Sequence, residues 1–467
     1  MPLRLYNSLT KKKEEFTPLK GKTVNIYSCG VTVYDKCHIG HARSLYIFDM
    51  MRRYLKFRGY DVRFVRNITD IDDKIIDKAN QEKKTSAQVA SDNIKSYYDD
   101  LKSLHIDTAD LEPKATDNIP GMITHIAALI EKGIASEVDG DVYFSVRKFP
   151  DYGKLSGQGI DQMREAVRIE KDSKKKDALD FALWKKSKEN EPFWESPWGR
   201  GRPGWHIECS VMSLKHLKCE TLDIHAGGRD LIFPHHENEI AQSQALSGKP
   251  LARYWVHHGL LTINGQKMAK SLGNFITVED ALKKYSVDTL KLFFLFSHYA
   301  SPVDYTADKM NEAAKALDRF DILFWKAYNM IKNRDIAPLD IEFVRENKNK
   351  FIEAMDDDFN TPKALAALFE LVNQTNKYIE EKKDHKDFQG VLYHAVDTLE
   401  VLARHIFGLF SAEAERELNP DQERLLEERK HSRAKKDFKK SDELRDLLRQ
   451  NGIAVEDTKE GQTWRWL

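Results

Sequence analysis

The sequence predicts an α/β chain: an open parallel-sheet domain split by a small inserted domain, then a C-terminal helical bundle and a small α+β tail. Three observations predict it. Apolar strand, helix and strand patterns follow one another within about 45 residues from Thr23, the signature of a right-handed βαβ crossover. Residues 116–200 change character, with short alternating runs and many glycines. Residues 308–410 are almost wholly helical in period. A chain of 467 residues divides at about 150 residues per domain into roughly three domains.

The elements follow in order. Residues 23–28 (TVNIYS) are β-branched and aromatic and read as a strand. In LYIFDMMRRYLKFRG, Leu45, Phe48, Met51 and Leu55 recur at helical spacing, and Gly59 stands just past the last turn. VRFVRNITDIDD gives a second strand and KIIDKANQ opens a helix. The insertion reads as β-rich and runs on through the charged stretch at 170–188. TLDIHAGG and WVHHGLLTI are strand-like, and PHHENEIAQSQALSG between them reads as a helix with Pro234 near its start. Residues 278–297 are helical. The tail reads as one basic helix from about 419, followed by a hairpin over NGIAVEDTKEGQTWRWL.

Composition sets the outer bounds. Lys+Arg and Asp+Glu are 74 each, so global positive charge does not hold nucleic acid, although residues 424–449 carry ten Lys/Arg against six Asp/Glu and leave a local basic face. No stretch of 18 apolar residues and no secretory leader is present, and four cysteines do not make a disulfide framework. The expectation is a cytoplasmic protein without a membrane span.

Two short segments carry polyphosphate chemistry. His38-Ile39-Gly40-His41 lies between the first strand and its helix, where free N–H groups and the positive dipole end favour a phosphate. Two imidazoles add donors, and Gly40 lets the backbone come close. Lys267-Met268-Ala269-Lys270-Ser271 lies between Gly265 and Gly273, and two lysines three apart neutralise charge that develops as a bond to phosphorus breaks. A third constellation suits a metal. Cys29, Cys209, His235 and Glu239 offer two thiolates, an imidazole and a carboxylate, the last two four apart on one helix face. Spacing alone leaves Cys37, Cys219, His236 and Glu237 as alternatives.

A HIGH segment after the first strand followed some 230 residues later by a KM-x-KS loop resembles the class I aminoacyl-tRNA synthetases. The longer runs YSCGVTVYDKCHIGHARS, RNITDIDDKII, SPWGRGRPGWHIECSVMS, HAGGRDLIFPHHENEIAQSQA and LRQNGIAVEDTKEGQTW resemble the cysteinyl-tRNA synthetase family across residues 2–467. The resemblance implies a Rossmann-type (HUP-like) catalytic domain in two halves, 1–115 and 201–265, around a connective insertion at 116–200. It implies a lysine-loop and stem-contact region at 266–310, a helical bundle at 311–411 and an anticodon-binding domain at 412–467.

It also implies one Zn²⁺ at Cys29, Cys209, His235 and Glu239, with the substrate sulfur as an additional ligand. Cysteine and serine are near-isosteres, and accuracies of ~10⁴ to 10⁵ require about 5.5–7 kcal/mol, which direct thiolate ligation supplies without an editing site. Cys29, Thr69, Trp205, His225 and Asp230 are implied around the substrate, with Asp230 facing its ammonium. ATP with Mg²⁺ is expected between the two signatures, contacting His38, Gly40, His41, Lys267, Lys270 and Ser271. His38, His41, Lys267 and Lys270 stabilise charge as the cysteine carboxylate attacks the α-phosphorus. A tRNA(Cys) is the implied acceptor, with Arg433, Asp442 and Asp457 at positions that read anticodon bases and Trp464 placed to stack on one. A monomer is the family expectation. The chain departs from the pattern at Ala269, where the loop usually has Ser, and at Ala300, where an Arg is expected. A ligase serving an amino-sugar acceptor would be expected to lack the tail, and a non-catalytic RNA-binding paralogue to lack the signatures; both are present.

Overall fold

The computed structural model describes residues 2–159, 175–331, 337–410, 418–458 and 461–466. Parts of the predicted charged stretch, of the predicted helical region and of the start of the tail, together with Leu467, lie outside the described residues.

The first part of the chain is built on a parallel sheet. Its strands are β1 (Thr23–Thr32), β2 (Asp61–Thr69), β3 (Leu222–Gly228) and β4 (Ala252–His258), in the order β4-β3-β1-β2. Between β1 and β2 runs α1 (Ile39–Phe57), after β2 comes α2 (Asp73–Glu82), α3 (Trp205–Leu217) leads into β3, and α4 (Glu237–Ser247) joins β3 to β4. Strand order reverses between β1 and β3, so their carboxyl ends open a crevice at a topological switch point.

Alternation along the strands builds two cores. Ile26, Phe64, Ile224, Tyr254 and Val256 face α1, whose Leu45, Phe48, Met51 and Leu55 are buried, and this core continues into the helical bundle. Tyr27, Val65 and Trp255 point the other way, against Ile207 and Met212 of α3 and Ile240 of α4. Gly59 ends α1 at φ +84°.

Two departures from the sequence reading bear on function. β1 runs on to Thr32 rather than ending at Ser28, and its pairing with β2 slips by one residue between Ser28 and Val31. The slip is a bulge holding Cys29 and Gly30. The tail has two helices rather than one, Pro420–Ala434 and Phe438–Gln450, before the hairpin of Ile453–Thr458 with Gly461–Trp466. Lys436 in the left-handed region (φ 63°) breaks the helix, and the Asp437 side chain caps the second helix on the Lys440 N–H.

The insertion carries a four-stranded antiparallel sheet of Ala135–Val138, Asp141–Phe144, Phe181–Lys186 and Gly201–Pro203. Its preceding helix Ile119–Glu131 was not visible as such among the β-like runs. Among the described residues the bundle is built from the helices Ala307–Met330, Glu342–Asp356, Thr361–Glu381 and Phe388–Leu399.

Candidate active site and metal centre

The metal donors meet because three local devices aim them into the crevice. The β1 bulge turns the Cys29 thiol out of the ladder. Only glycine fits next to it, since a Cβ on Gly30 would lie 1.7 Å from the Asn67 carbonyl oxygen. The Gly30 N–H donates to Asn67 Oδ1 (2.8 Å), and the Cys209 thiol lies 3.7 Å from the same oxygen. Cys209 stands on the first turns of α3, four residues after Trp205 and so on its face. A kinked turn over Ile232–His236, with Phe233 in an extended conformation (φ −137°, ψ 132°), runs into α4 and brings His235 and Glu239 together, with His235 Nε2 3.0 Å from Glu239 Oε1.

Cys29, Cys209, His235 and Glu239 each offer a donor atom, all within 4.8 Å of one another. The two sulfurs are 3.6 Å apart, and Cys29 Sγ is 3.5 Å from Glu239 Oε1. Cys209, His235 and Glu239 are buried and Cys29 is half-buried. A second set of the same span, Cys29, His225, His236 and Glu239, overlaps the first, with His236 Nε2 3.2 Å from Cys29 Sγ. Among the alternatives left open by spacing, His236 therefore joins the cluster. Cys37 packs in the α1 core instead, Glu237 accepts the Ser156 N–H (2.8 Å), and Cys219 lies at the edge of the second core.

Outer partners orient these rings. His235 Nδ1 is 2.9 Å from His206 Nδ1, so a His235 tautomer with its lone pair on Nε2 donates its other proton to His206. His236 Nδ1 meets His257 Nε2 (2.8 Å), and His257 Nδ1 meets Ser8 Oγ (2.8 Å). Burial pushes the Cys209 thiol up to about 11 and the Cys29 thiol well above its usual range. It also holds His235 and His236 far below theirs. Neutral imidazoles, thiols costly to ionise without a counter-charge and one buried carboxylate make a soft donor set that suits a divalent cation such as Zn²⁺.

The expected substrate residues line up unevenly. Trp205 stacks on His235 at 4.1 Å and is 37% exposed, so it presents a wall to the crevice. Asp230 is exposed in the turn after β3, close enough to bear on His38 and His258. Thr69 is buried at the end of β2, where its hydroxyl donates to Glu208 Oε2 (2.6 Å) and accepts from Asn67 Nδ2 (3.2 Å). His225 is fully buried, stacked on Trp255 at 4.5 Å, with Nε2 2.7 Å from Glu239 Oε2. It bears on the cluster through Glu239 rather than as an open wall.

The two signature segments lie side by side. His38 caps α1, its Nδ1 accepting from the Gly40 N–H (3.1 Å) and the His41 N–H (3.2 Å), while the His38 N–H donates to His41 Nδ1 (3.3 Å). Both rings, stacked at 3.7 Å, thus carry their proton on Nε2. Burial lowers His38 to about 4 and His41 to about 3, so both are neutral donors near pH 7. The lysine loop is sewn beside them: the Ile39 N–H donates to the Ile276 carbonyl (3.1 Å) and the Val278 N–H to the Cys37 carbonyl (3.0 Å). Asn274 closes the loop, accepting from the Ala269 N–H (2.8 Å) and donating to the Lys267 carbonyl (3.1 Å). Lys270 pairs with Asp35, and Lys267 sits in an exposed two-residue strand. The Ser271 side chain lies outside the described residues.

In the tail, Asp457 is gripped by Arg429 through two bonds (3.0 and 2.9 Å) and by Arg433 (2.9 Å), and these cations hold its carboxyl below the usual range. Asp442 pairs with Arg445 at 3.3 Å and stays more than half exposed. Trp464 packs against the small tail core, and its carbonyl accepts from Trp325 Nε1 of the bundle.

Sequence reasoning missed Asn67, His206 and Arg43. An asparagine ending an apolar strand is a poor strand former and was the available signal for the first. Arg43 is fully buried and donates to four carbonyls, those of Gly259, Leu260, Tyr299 and Ser301, tying α1 to the turn around Ala300.

Comparison with known proteins accords with this geometry. Residues 15–315 match the family described as tRNA synthetases class I (C) catalytic domain, residues 350–411 the DALR domain, and residues 415–465 the cysteinyl-tRNA ligase anticodon binding domain. A cysteine–tRNA ligase of Sulfurihydrogenibium sp. (strain YO3AOP1) is 48% identical, with 100% of both chains covered. That of Aquifex aeolicus (strain VF5) is 46% identical, covering 100% of this chain and 99% of its own. A Mycobacterium tuberculosis methionyl-tRNA synthetase in complex with methionyl-adenylate superposes with a TM-score of 0.66 over 83% of this chain and 92% of that one; at 16% identity it shows a shared fold alone. With a catalytic-domain match over more than half of its residues and relatives of this identity along its whole length, the chain belongs to the cysteinyl-tRNA ligase family of class I synthetases.

Proposed function

We propose that this chain is a cysteine–tRNA ligase that activates L-cysteine with ATP and transfers it to the 3′ end of tRNA(Cys). The observation that carries the reading is the convergence of Cys29, Cys209, His235 and Glu239 at the carboxyl edge of the sheet, in the same domain as a histidine-capped helix N-terminus and a docked lysine loop.

Cys29, Cys209, His235 and Glu239 would hold Zn²⁺, with His236 at hand, and the metal when bound supplies a soft Lewis acid that favours thiolate over alcohol. Trp205 excludes water beside the substrate side chain, and Asp230 holds its ammonium. The ATP phosphates lie at the α1 N-terminus, where His38 and His41 donate from Nε2 without adding charge of their own. The cysteine carboxylate attacks the α-phosphorus and pyrophosphate leaves, its charge met by Lys267 and Lys270, with Mg²⁺ accompanying the nucleotide. The terminal ribose hydroxyl of tRNA then attacks the cysteinyl carbonyl and AMP departs. The tail engages the anticodon with Arg433, Asp442 and the Asp457–Arg429 pair, together with Trp464, and the protein acts as a cytoplasmic monomer. Among the described residues no helix is long and apolar enough to cross a membrane.

The test is aminoacylation of a tRNA pool with cysteine and serine side by side, alongside metal analysis. Cysteine alone is expected to be charged, with about one zinc per chain. Cys209→Ser is expected to lose zinc and its preference for cysteine. Full zinc content with unchanged selectivity in that variant would sink the assignment.

A further inference from the structure

The lysine loop meets a group that the activation chemistry does not use. Asp35 lies in the turn between β1 and α1, three residues before the cap His38. Its Oδ1 accepts the Lys36 N–H (2.8 Å), which leaves Oδ2 for a second partner. Lys270 Nζ pairs with that oxygen. The same ammonium sits over the Phe275 ring at 5.0 Å, and Phe275 stands edge-on to His38 at 5.3 Å. Lys270 is therefore held at the rim of the histidine site, with its charge met by a carboxylate of the chain.

The arrangement has a chemical consequence. A carboxylate beside a site built for polyphosphate repels that ligand, and one paired with Lys270 also occupies the lysine that the ligand needs. The Asp35 side chain is 21% exposed and that of Lys270 is 55% exposed, so the pair is open to exchange by a competing anion. Backbone hydrogen bonds at Cys37, Ile39, Ile276 and Val278 anchor the loop's far end, so Lys270 can change partner without the loop detaching.

We propose that Asp35 is a positioning residue, a counter-ion that parks Lys270 in the nucleotide-free protein and yields it to the phosphates of a nucleoside triphosphate. This rests on reading Lys270 as a phosphate-binding residue. Asp35 thus sets how much of the lysine's charge is available for ATP before the nucleotide arrives.

The experiment measures Mg·ATP affinity of the full chain with Asp35→Asn, Asp35→Glu, Lys270→Ala and the double variant Asp35→Asn/Lys270→Ala. Asp35→Asn is expected to tighten ATP binding about two- to five-fold, the range of a partly exposed ion pair. Asp35→Glu keeps the pair and is expected to stay near the parent value. The gain from Asp35→Asn is expected to vanish when Lys270 is Ala. An equal gain in both backgrounds would mean direct repulsion of ATP by Asp35, and would overturn the parking role while leaving Lys270 as a phosphate ligand. Unchanged ATP binding and unchanged ATP–pyrophosphate exchange in Lys270→Ala alone would overturn both readings. Trypsin supplies the second readout: without nucleotide, Asp35→Asn should be cut faster after Lys267 or Lys270, and a non-hydrolysable ATP analogue should restore protection. An unaltered cleavage rate would count against the parked loop.

Discussion

At Gly30 one missing side chain shapes the whole cluster of candidate metal donors. The bulge that aims Cys29 inward needs the β1 backbone pressed against Asn67, leaving no room for a methyl group. Gly30→Ala is therefore expected to separate β1 from β2 locally and to cost about 2 kcal/mol or more, from strain and the weakened Asn67 bond. Zinc content should fall with stability, since Cys29 loses its aim. Urea unfolding and metal analysis of one preparation check this; a destabilised protein with full zinc would show that the bulge does not position Cys29. The sequence marked Cys29, Cys209, His235 and Glu239 through resemblance, and their i, i+4 relation was legible for the last pair. Spacing left His236 open beside Cys37, Cys219 and Glu237 without choosing among them, because its approach depends on Gly227, where a Cβ would lie 2.7 Å from the His236 ring.

Elements differ in how much they can lose. α1 packs its apolar face into a core that runs on into the bundle, whereas the described residues of the tail build a small apolar core from Leu426, Leu448, Ile453 and Val455, with Leu444 also buried and Trp464 alongside. Removing one residue from so small a core matters more than removing one of dozens. Leu448→Ala is expected to cost the tail about 2–5 kcal/mol, enough to unfold it. ATP–pyrophosphate exchange with cysteine should then persist while tRNA charging drops at least tenfold. Intact charging would show that the tail is dispensable for the acceptor. Periodicity revealed α1 and the bundle helices because their apolar faces repeat at 3.6 residues. It merged the two tail helices because both are mostly charged, and the break at Lys436 rests on a left-handed backbone that lysine does not advertise.

For the whole molecule, buried neutral histidines couple folding to pH. Burial, the first cause in each case, lowers His38 and His258 to about 4 and His41 to about 3. The unfolded chain takes up these protons from about pH 6.5 downward, and the folded chain does not until near pH 4 to 3. Their contribution to stability is complete above about pH 6.5 and is lost as pH falls through that window. The urea midpoint should decline from pH 7 to pH 4.5, and His41→Asn should flatten the decline; an identical slope would remove His41 from the account. The sequence by itself determined the parallel-sheet class and the helical bundle, which reside in local periodicity, and it marked the two signature segments and the candidate metal donors through residue chemistry and resemblance. Only the tertiary structure decided which imidazoles share the cluster, that the signature histidines are neutral donors, that Asp457 is already held by two arginines, and that Lys270 rests on Asp35. Each of those depends on burial and on contacts between segments up to some 230 residues apart, which local sequence does not encode.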